Sequence, residues 1–342
     1  MLRENPFIVF LGAGVIGGSV GGWLAEKYAN VFFMDQGKTA EALRDRGITL
    51  YPGDAPSSRT NTKVRVIDSF DQIPTPDVVV IGVKNYSLEP VSQIVKDAVG
   101  DAPVIIGMQN GIDNQRVLPK YFSKVVYCVV SYNAWADEPG VIGYQKKGPL
   151  HFGTLDEATA PQAWHLANLF NRGVETEYTD RIQDAIHSKI IINLTNSLTT
   201  LIGLKVREIS DQGMFQSLLS AQLWEGVQIV KAAGFRESKL GGMPPWNLLW
   251  ASSHLPQKIT RPLFNRNVQK MVISSMAQDV IQRGAGQTEL ESINGYILSL
   301  ADKVGHPAPV NRAVYDICKR EFAKEGFEPL DVRDVYRMVH KG

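Results

Sequence analysis

The chain has little cysteine: Cys128 and Cys318 are the only two in 342 residues, and neither sits in a CxxC pair or a Cys/His cluster. That spacing speaks against a zinc site and fits a reducing cytoplasm. Net charge is nearly absent as well, because 36 Lys and Arg stand against 35 Asp and Glu, leaving +1. No long basic run is hidden by that average, so nucleic acid and anionic membrane are set aside as partners. Internal repeats and low-complexity tracts are also lacking. What remains, 44% hydrophobic and 21% charged residues, is the composition of a globular protein with enough length for two domains.

A clean apolar span is missing too. The best candidate, "IVFLGAGVIGGSVGGWL" from Ile8 to Leu24, is uncharged but carries six glycines, which are poor material for an isolated membrane helix. A signal peptide would need a small-residue cleavage site, whereas "AEKYANVFFMDQG" runs straight on into another strand-like segment.

The same stretch fits a phosphate cradle. Phe7 to Leu11 reads as a buried strand, Gly12-Ala13-Gly14-Val15-Ile16-Gly17 as G-x-G-x-x-G, and the following residues as a helix to about Ala29. Gly12 allows the tight turn, Gly14 lets backbone approach a pyrophosphate, and Gly17 lets the helix pack on the strand. A second strand, Val31 to Asp35, ends in an acid about twenty residues on, as the dinucleotide pattern requires. A carboxylate there accepts bonds from ribose hydroxyls and repels a 2′-phosphate, which favours NAD over NADP. Gln36 follows it, where an NADP enzyme often has arginine, although Lys38 is near.

Strands and helices continue to alternate. Lys63 to Ile67, Asp77 to Val83, Pro103 to Met108 and Lys124 to Ser131 read as strands, and Leu88 to Val99 reads as a crossover helix. The expected fold class is α/β, a doubly wound parallel Rossmann sheet over residues 1–180. Lys84 and Asn85, and Gln109, Asn110 and Gly111, lie just past two strands, where ligands bind in such sheets. Beyond Asp180 helical patterns take over, at Ile182 to Leu204, Met214 to Ala233, Asn267 to Gln282, Glu289 to Val304 and Val310 to Ala323. Residues 181–342 are therefore expected to form an all-α domain. The segment "KLGGMPPWNLLWASSHLPQ" interrupts it as a loop with a short helix. Its Trp246 and Trp250 suit either core or a homodimer surface.

"HSKIIINLTNSLTTLIG" is apolar around most of its axis, yet Lys189, Asn193, Asn196 and Thr200 fall at i, i+4, i+7 and i+11. At 100° per residue they share an arc of roughly 60°. Dry unpaired amides cost on the order of 1 to 3 kcal/mol each, so the stripe is expected to face a wet cleft, or else a polar seam between helices. A buried lysine beside a nicotinamide would donate a proton to a carbonyl oxygen as hydride reaches the carbon, because burial lowers its pKa.

Several short pieces occur together in order: "GAGVIGG" at the start, "VKNY" at Val83 to Tyr86, "QNGID" at Gln109 to Asp113, and "KIIINLTNSLT" at Lys189 to Thr199. They continue with "SSMAQD" at Ser274 to Asp279, "TELESING" at Thr288 to Gly295 and "PAPVNRAVYDICK" at Pro307 to Lys319. In this the chain resembles the ketopantoate reductases (2-dehydropantoate 2-reductases) nearly end to end. The resemblance implies a Rossmann domain followed by a helical domain similar to that of 6-phosphogluconate dehydrogenase. It implies Lys189 as general acid and Asn193 as the residue positioning it and the ligand, with Asn196 on the same stripe. Asn110 is implied by the nicotinamide ribose and substrate, Lys84 by the cofactor, Ser275 on the substrate carboxylate, and Glu289 on substrate or cofactor.

Three departures from the family pattern stand out. Val272 occupies a place where an asparagine often binds substrate, and "RGAGQ" lengthens the connection between Ser275 and Glu289. Asp35 with Gln36 suits NAD, whereas the pantothenate-pathway enzymes mostly use NADPH. Together they point toward the family's NAD-dependent D-2-hydroxyacid dehydrogenases, mandelate dehydrogenases among them, acting on a small branched or aromatic 2-oxoacid. An NADPH-dependent ketopantoate reductase is the alternative within the class, and a non-catalytic dinucleotide sensor the alternative outside it.

Overall fold

A computed structural model describes residues 2–241, 243–282 and 288–341. The chain divides into two compact units, 1–182 and 183–342.

The first unit contains twelve strands: Ile8–Leu11 (β1), Val31–Met34 (β2), Ile48–Pro52 (β3), Thr60–Thr62 (β4), Arg65–Val66 (β5), Val78–Ile81 (β6), Val104–Gly107 (β7), Val125–Val130 (β8), Ala134–Glu138 (β9), Val141–Tyr144 (β10), Leu150–Gly153 (β11) and Thr176–Tyr178 (β12). Eight form one sheet in the order β12-β11-β8-β7-β6-β1-β2-β5. β1 pairs in parallel with β2 on one side and β6 on the other, which is the central position of a Rossmann sheet. β6 and β7 read VVVI and VIIG and are buried throughout, as strands covered on both faces must be. The parallel pattern breaks at one place, where β8 and β11 pair antiparallel.

Five helices accompany the strands: Val15–Lys27 (α1), Gly37–Arg46 (α2), Leu88–Val99 (α3), Asp113–Val117 (α4) and Ala160–Phe170 (α5). The sequence reading omits α2 and a second, four-stranded sheet ordered β4-β3-β10-β9. The two sheets together explain the surplus glycines of α1. A Cβ on Gly21 would come within 2.5 Å of the Phe33 ring on the main sheet, one on Gly18 within 2.6 Å of Ile142, and one on Gly22 within 3.1 Å of Ile48 on the small sheet. α1 is thus clasped on two faces, and residues Gly17 through Leu24 are all buried.

The second unit is built on Ile182–Ile202 (α6), whose first residue belongs to the first unit, and Gln212–Ala232 (α7). Trp246–His254 (α8), Gln257–Lys270 (α9), Ser275–Ala277 (α10), Tyr296–Val304 (α11), Pro309–Phe322 (α12) and Val332–Lys341 (α13) complete it. The single helix expected from Asn267 to Gln282 is broken: α9 stops at Lys270, residues 271–274 are irregular, and α10 restarts under a cap from the Ser274 hydroxyl. A π-helical turn at Glu291–Gly295 leads into α11. α12 begins at Pro309 with no cap of its own. Glu225 of α7 serves instead, accepting from the backbone N–H groups of Val310 (3.1 Å) and Asn311 (2.8 Å). Among the described residues no helix is long and apolar enough to cross a membrane.

Candidate active site

In the first unit, the turn after β1 holds Gly12 at φ +91°, a left-handed conformation that disfavours any side chain. A Cβ on Gly17 would lie 2.0 Å from the Gly12 carbonyl oxygen, so glycine there is dictated by the fold. Gly14 differs. Its φ of −64° is ordinary, and nothing lies within 4 Å of where its Cβ would be. The protein itself places no demand for glycine at this position, but a phosphate resting on backbone would. Gly14 is the N-cap of α1, no side chain caps it and no acid sits in the first turn, so the N–H groups around Val15 and Ile16 are available to an anion. These residues fit the pyrophosphate of a dinucleotide.

Asp35 follows β2 at the edge of this turn. Its Oδ2 accepts from the Ala13 N–H at 2.6 Å and its Oδ1 from the Gln36 N–H at 2.7 Å, which fixes the carboxylate while leaving lone pairs for ribose hydroxyls. Lys84 precedes the short turn Asn85–Ser87 after β6, and Asn110 follows β7. Asn85 Nδ2 donates to the Asn110 carbonyl at 2.9 Å, and Gln109 Nε2 donates to the carbonyls of Ile81 (2.8 Å) and Val83 (3.0 Å). Asn85 and Gln109 therefore act as struts tying the two loops together. Such bonds depend on residues 25 to 28 apart meeting across adjacent strands, so a linear reading shows only two polar loop ends.

In the second unit, Lys189 lies on α6. The residue keeps some accessible surface while its ammonium is desolvated: burial lowers its pKa to about 8, and the charge of Glu289 opposes that drop. Glu289 is 7% exposed, just ahead of the π-helical turn, and the Thr288 hydroxyl accepts from the Leu290 N–H at 3.2 Å. Sequence separation of a hundred residues hides this pair, which only the fold assembles. The stripe on α6 divides. Asn193 is 6% exposed and Asn196 is partly exposed, whereas Thr200 is fully buried and bonds the Ser274 hydroxyl at 3.2 Å. Thr200 is thus part of a polar seam and not of a wet face. Ser275 opens α10 beside that seam, and Val272 lies in the irregular stretch between α9 and α10. The "RGAGQ" insertion lies outside the described residues.

One residue near Lys189 escapes the sequence reading. His187 Nδ1 lies 2.7 Å from the Gln183 carbonyl and its Nε2 lies 2.6 Å from the Tyr296 hydroxyl, while its ring stacks on Phe235 at 3.6 Å. Burial holds its pKa down to about 4, so it is neutral, with Nδ1–H donating to the carbonyl and Nε2 accepting from tyrosine. It anchors α6 two residues before Lys189.

Comparison with known proteins gives the family. A family model described as ketopantoate reductase PanE/ApbA matches residues 8–157, and the model for the C-terminal part of the same family matches residues 181–321. The chain belongs to the ketopantoate reductase family. It is an oxidoreductase of the NAD(P)-dependent kind that acts on CH–OH groups, which sets the sensor alternative aside. The 2-dehydropantoate 2-reductase of Pyrococcus horikoshii is 29% identical over 316 residues, covering 91% of this chain and 96% of that one. The enzyme of the same name from Archaeoglobus fulgidus is 27% identical over 314 residues, covering 91% and 96%. Among solved structures, D-mandelate dehydrogenase with NADH and anilino(oxo)acetate superposes with a TM-score of 0.74 at 16% identity, covering 97% and 99% of the two chains. A ketopantoate reductase from Ralstonia eutropha gives 0.71 at 20%, again covering 97% and 99%. At those identities the structural likenesses speak for the fold.

Proposed function

We propose that this ketopantoate reductase family member reduces a branched or aromatic 2-oxoacid to the D-2-hydroxyacid, with NADH favoured over NADPH. The observation that carries the reading is the desolvated Lys189 ammonium held in its charged form by buried Glu289. NADH, when bound, supplies hydride to the carbonyl carbon. The carbonyl oxygen must then gain a proton, and Lys189 Nζ is the donor whose pKa of about 8 suits that transfer near neutral pH. Its N–H bond breaks, the substrate O–H bond forms, and Lys189 is left as a neutral amine to be reprotonated from water. The charge on the ammonium also stabilises the alkoxide as it develops. Asn193 orients the amine and ligand without adding charge, and Ser275 serves the substrate carboxylate. Gly12 to Gly17, Lys84 and Asn110 hold the dinucleotide, so residues 1–180 are the cofactor domain and 181–342 the substrate and catalytic domain.

The preference for NADH rests on Asp35, whose anchored carboxylate repels a 2′-phosphate. Val272 in place of an asparagine removes a hydrogen-bonding partner from the substrate region and favours an apolar side chain. Both thiols, Cys128 and Cys318, are free and buried, in keeping with a cytoplasmic enzyme. A second reading, NADPH-dependent 2-dehydropantoate 2-reductase, has the names of the P. horikoshii and A. fulgidus relatives in its favour. Initial rates with ketopantoate, 2-oxoisovalerate and phenylglyoxylate, each against NADH and NADPH, separate the two. The proposal expects phenylglyoxylate or 2-oxoisovalerate with NADH to give the highest kcat/KM. A strong preference for ketopantoate with NADPH would establish the second reading instead.

A further inference from the structure

Three of the six tryptophans of the chain converge on one cavity of the second unit, with a volume of about 510 Å³. Trp224 and Lys231 come from α7, Trp246 and Trp250 from α8, and Phe235, Arg236 and Glu237 from the segment between them. The size is that of a small-molecule site. Trp246 is 6% exposed and forms a wall, while Trp250 is 44% exposed at the mouth, with its ring stacked on His254 at 5.1 Å. An aromatic cage of this kind takes organic cations when it is free of positive charge. Here Lys231 Nζ already sits 5.6 Å from the ring centres of both Trp224 and Trp246, which excludes a second cation.

The remaining charges favour an anion. Lys231 and Arg236 are exposed at the rim, and among the described residues no ion pair involves either side chain. The single acid, Glu237, is partly spent, since its Oε1 accepts the Trp246 N–H at 2.7 Å and caps α8. The cavity floor is also tied to the helix that carries Lys189. Phe235 stacks on His187, the Arg236 N–H donates to Asp184 Oδ1 at 2.9 Å, and the Ser238 N–H donates to Ser188 Oγ at 2.9 Å.

We propose that this tryptophan-lined cavity is an effector site, separate from the reaction site, for a small molecule that combines a planar ring with an anionic group. The ring packs against exposed Trp250 beside the Trp246 wall, and the anion is held by Lys231 and Arg236. The inference does not depend on which 2-oxoacid is reduced. It is tested by titrating the full chain, with saturating NADH filling the dinucleotide site, against two probes: 1-naphthoate for aromatic acids and AMP for nucleotides. Calorimetry is expected to show saturable binding of one probe. That binding should weaken about tenfold or more in Lys231→Ala/Arg236→Ala, remain in Lys189→Ala, and alter the wild-type KM or kcat when the probe is added. Both substituted rim residues are exposed, so the double variant keeps the fold. Absence of saturable binding by either probe overturns the proposal, as does binding abolished by Lys189→Ala and untouched by the rim variant. Binding without any change in kinetics removes the effector role.

Discussion

α1 and α6 are both buried around most of their circumference, yet they equip the enzyme by opposite means. α1 contributes through missing side chains: its glycines bring backbone N–H groups to the surface of a turn that two sheets clasp. α6 contributes through retained ones, keeping Lys189, Asn193 and Asn196 on a helix rich in isoleucine and leucine. A backbone site is weakened by a side chain added, whereas a side-chain site is lost by an atom group removed. In the proposed function the first binds, and the second supplies a proton.

Variants in the two helices should therefore fail differently. Lys189→Ala is expected to lower turnover about 100- to 10,000-fold, on the order of 3 to 5 kcal/mol, while NADH affinity measured by fluorescence stays within about twofold. If cofactor affinity fell in step with turnover, the division of labour would be lost. Gly17→Ala, which forces a methyl against the Gly12 carbonyl, should cost about 3 kcal/mol of stability and lower the melting temperature.

α6 also carries an acid sensitivity that α1 lacks. The folded pKa of His187 is held near 4, below its ordinary 6.5, so only the unfolded chain takes up the proton between those values. Stability is thus lost as pH falls through that window, by roughly 3 kcal/mol at most. In denaturant titrations at pH 7 and pH 4.5, His187→Gln should show a smaller drop than wild type. The smallest effect is Gly14→Ala: melting is expected to match wild type, while NADH binds about tenfold more weakly. Unchanged binding there would remove the argument that open space at Gly14 is reserved for phosphate.

The two helices also differ in how much of them the sequence reveals. G-x-G-x-x-G with a strand on each side and an acid at Asp35 is a local pattern, contained in about thirty residues. The extra glycines at positions 18 and 22 are not explained locally, because the small sheet that needs them comes from residues 48–62 and 134–144, whereas Gly21 answers to Phe33 and Phe10 of the main sheet. On α6 the polar stripe is visible by helical spacing alone, but its division is not. Thr200 turns inward because Ser274 meets it from a helix break that periodicity misses, since Asn267 to Gln282 keeps an apolar repeat across the interruption. Glu225 capping α12 and His187 anchoring α6 are likewise tertiary facts with no linear signal.

The pH dependence of 2-oxoacid reduction with saturating NADH tests Lys189 as proton donor most directly. Reduction requires the ammonium form, so kcat/KM should hold below the Lys189 pKa of about 8 and fall roughly tenfold per pH unit above it. The reverse oxidation should rise through the same value, and Lys189→Ala should abolish both inflections. A profile flat to pH 10, or an inflection near 8 that persists in Lys189→Ala, would contradict the assignment.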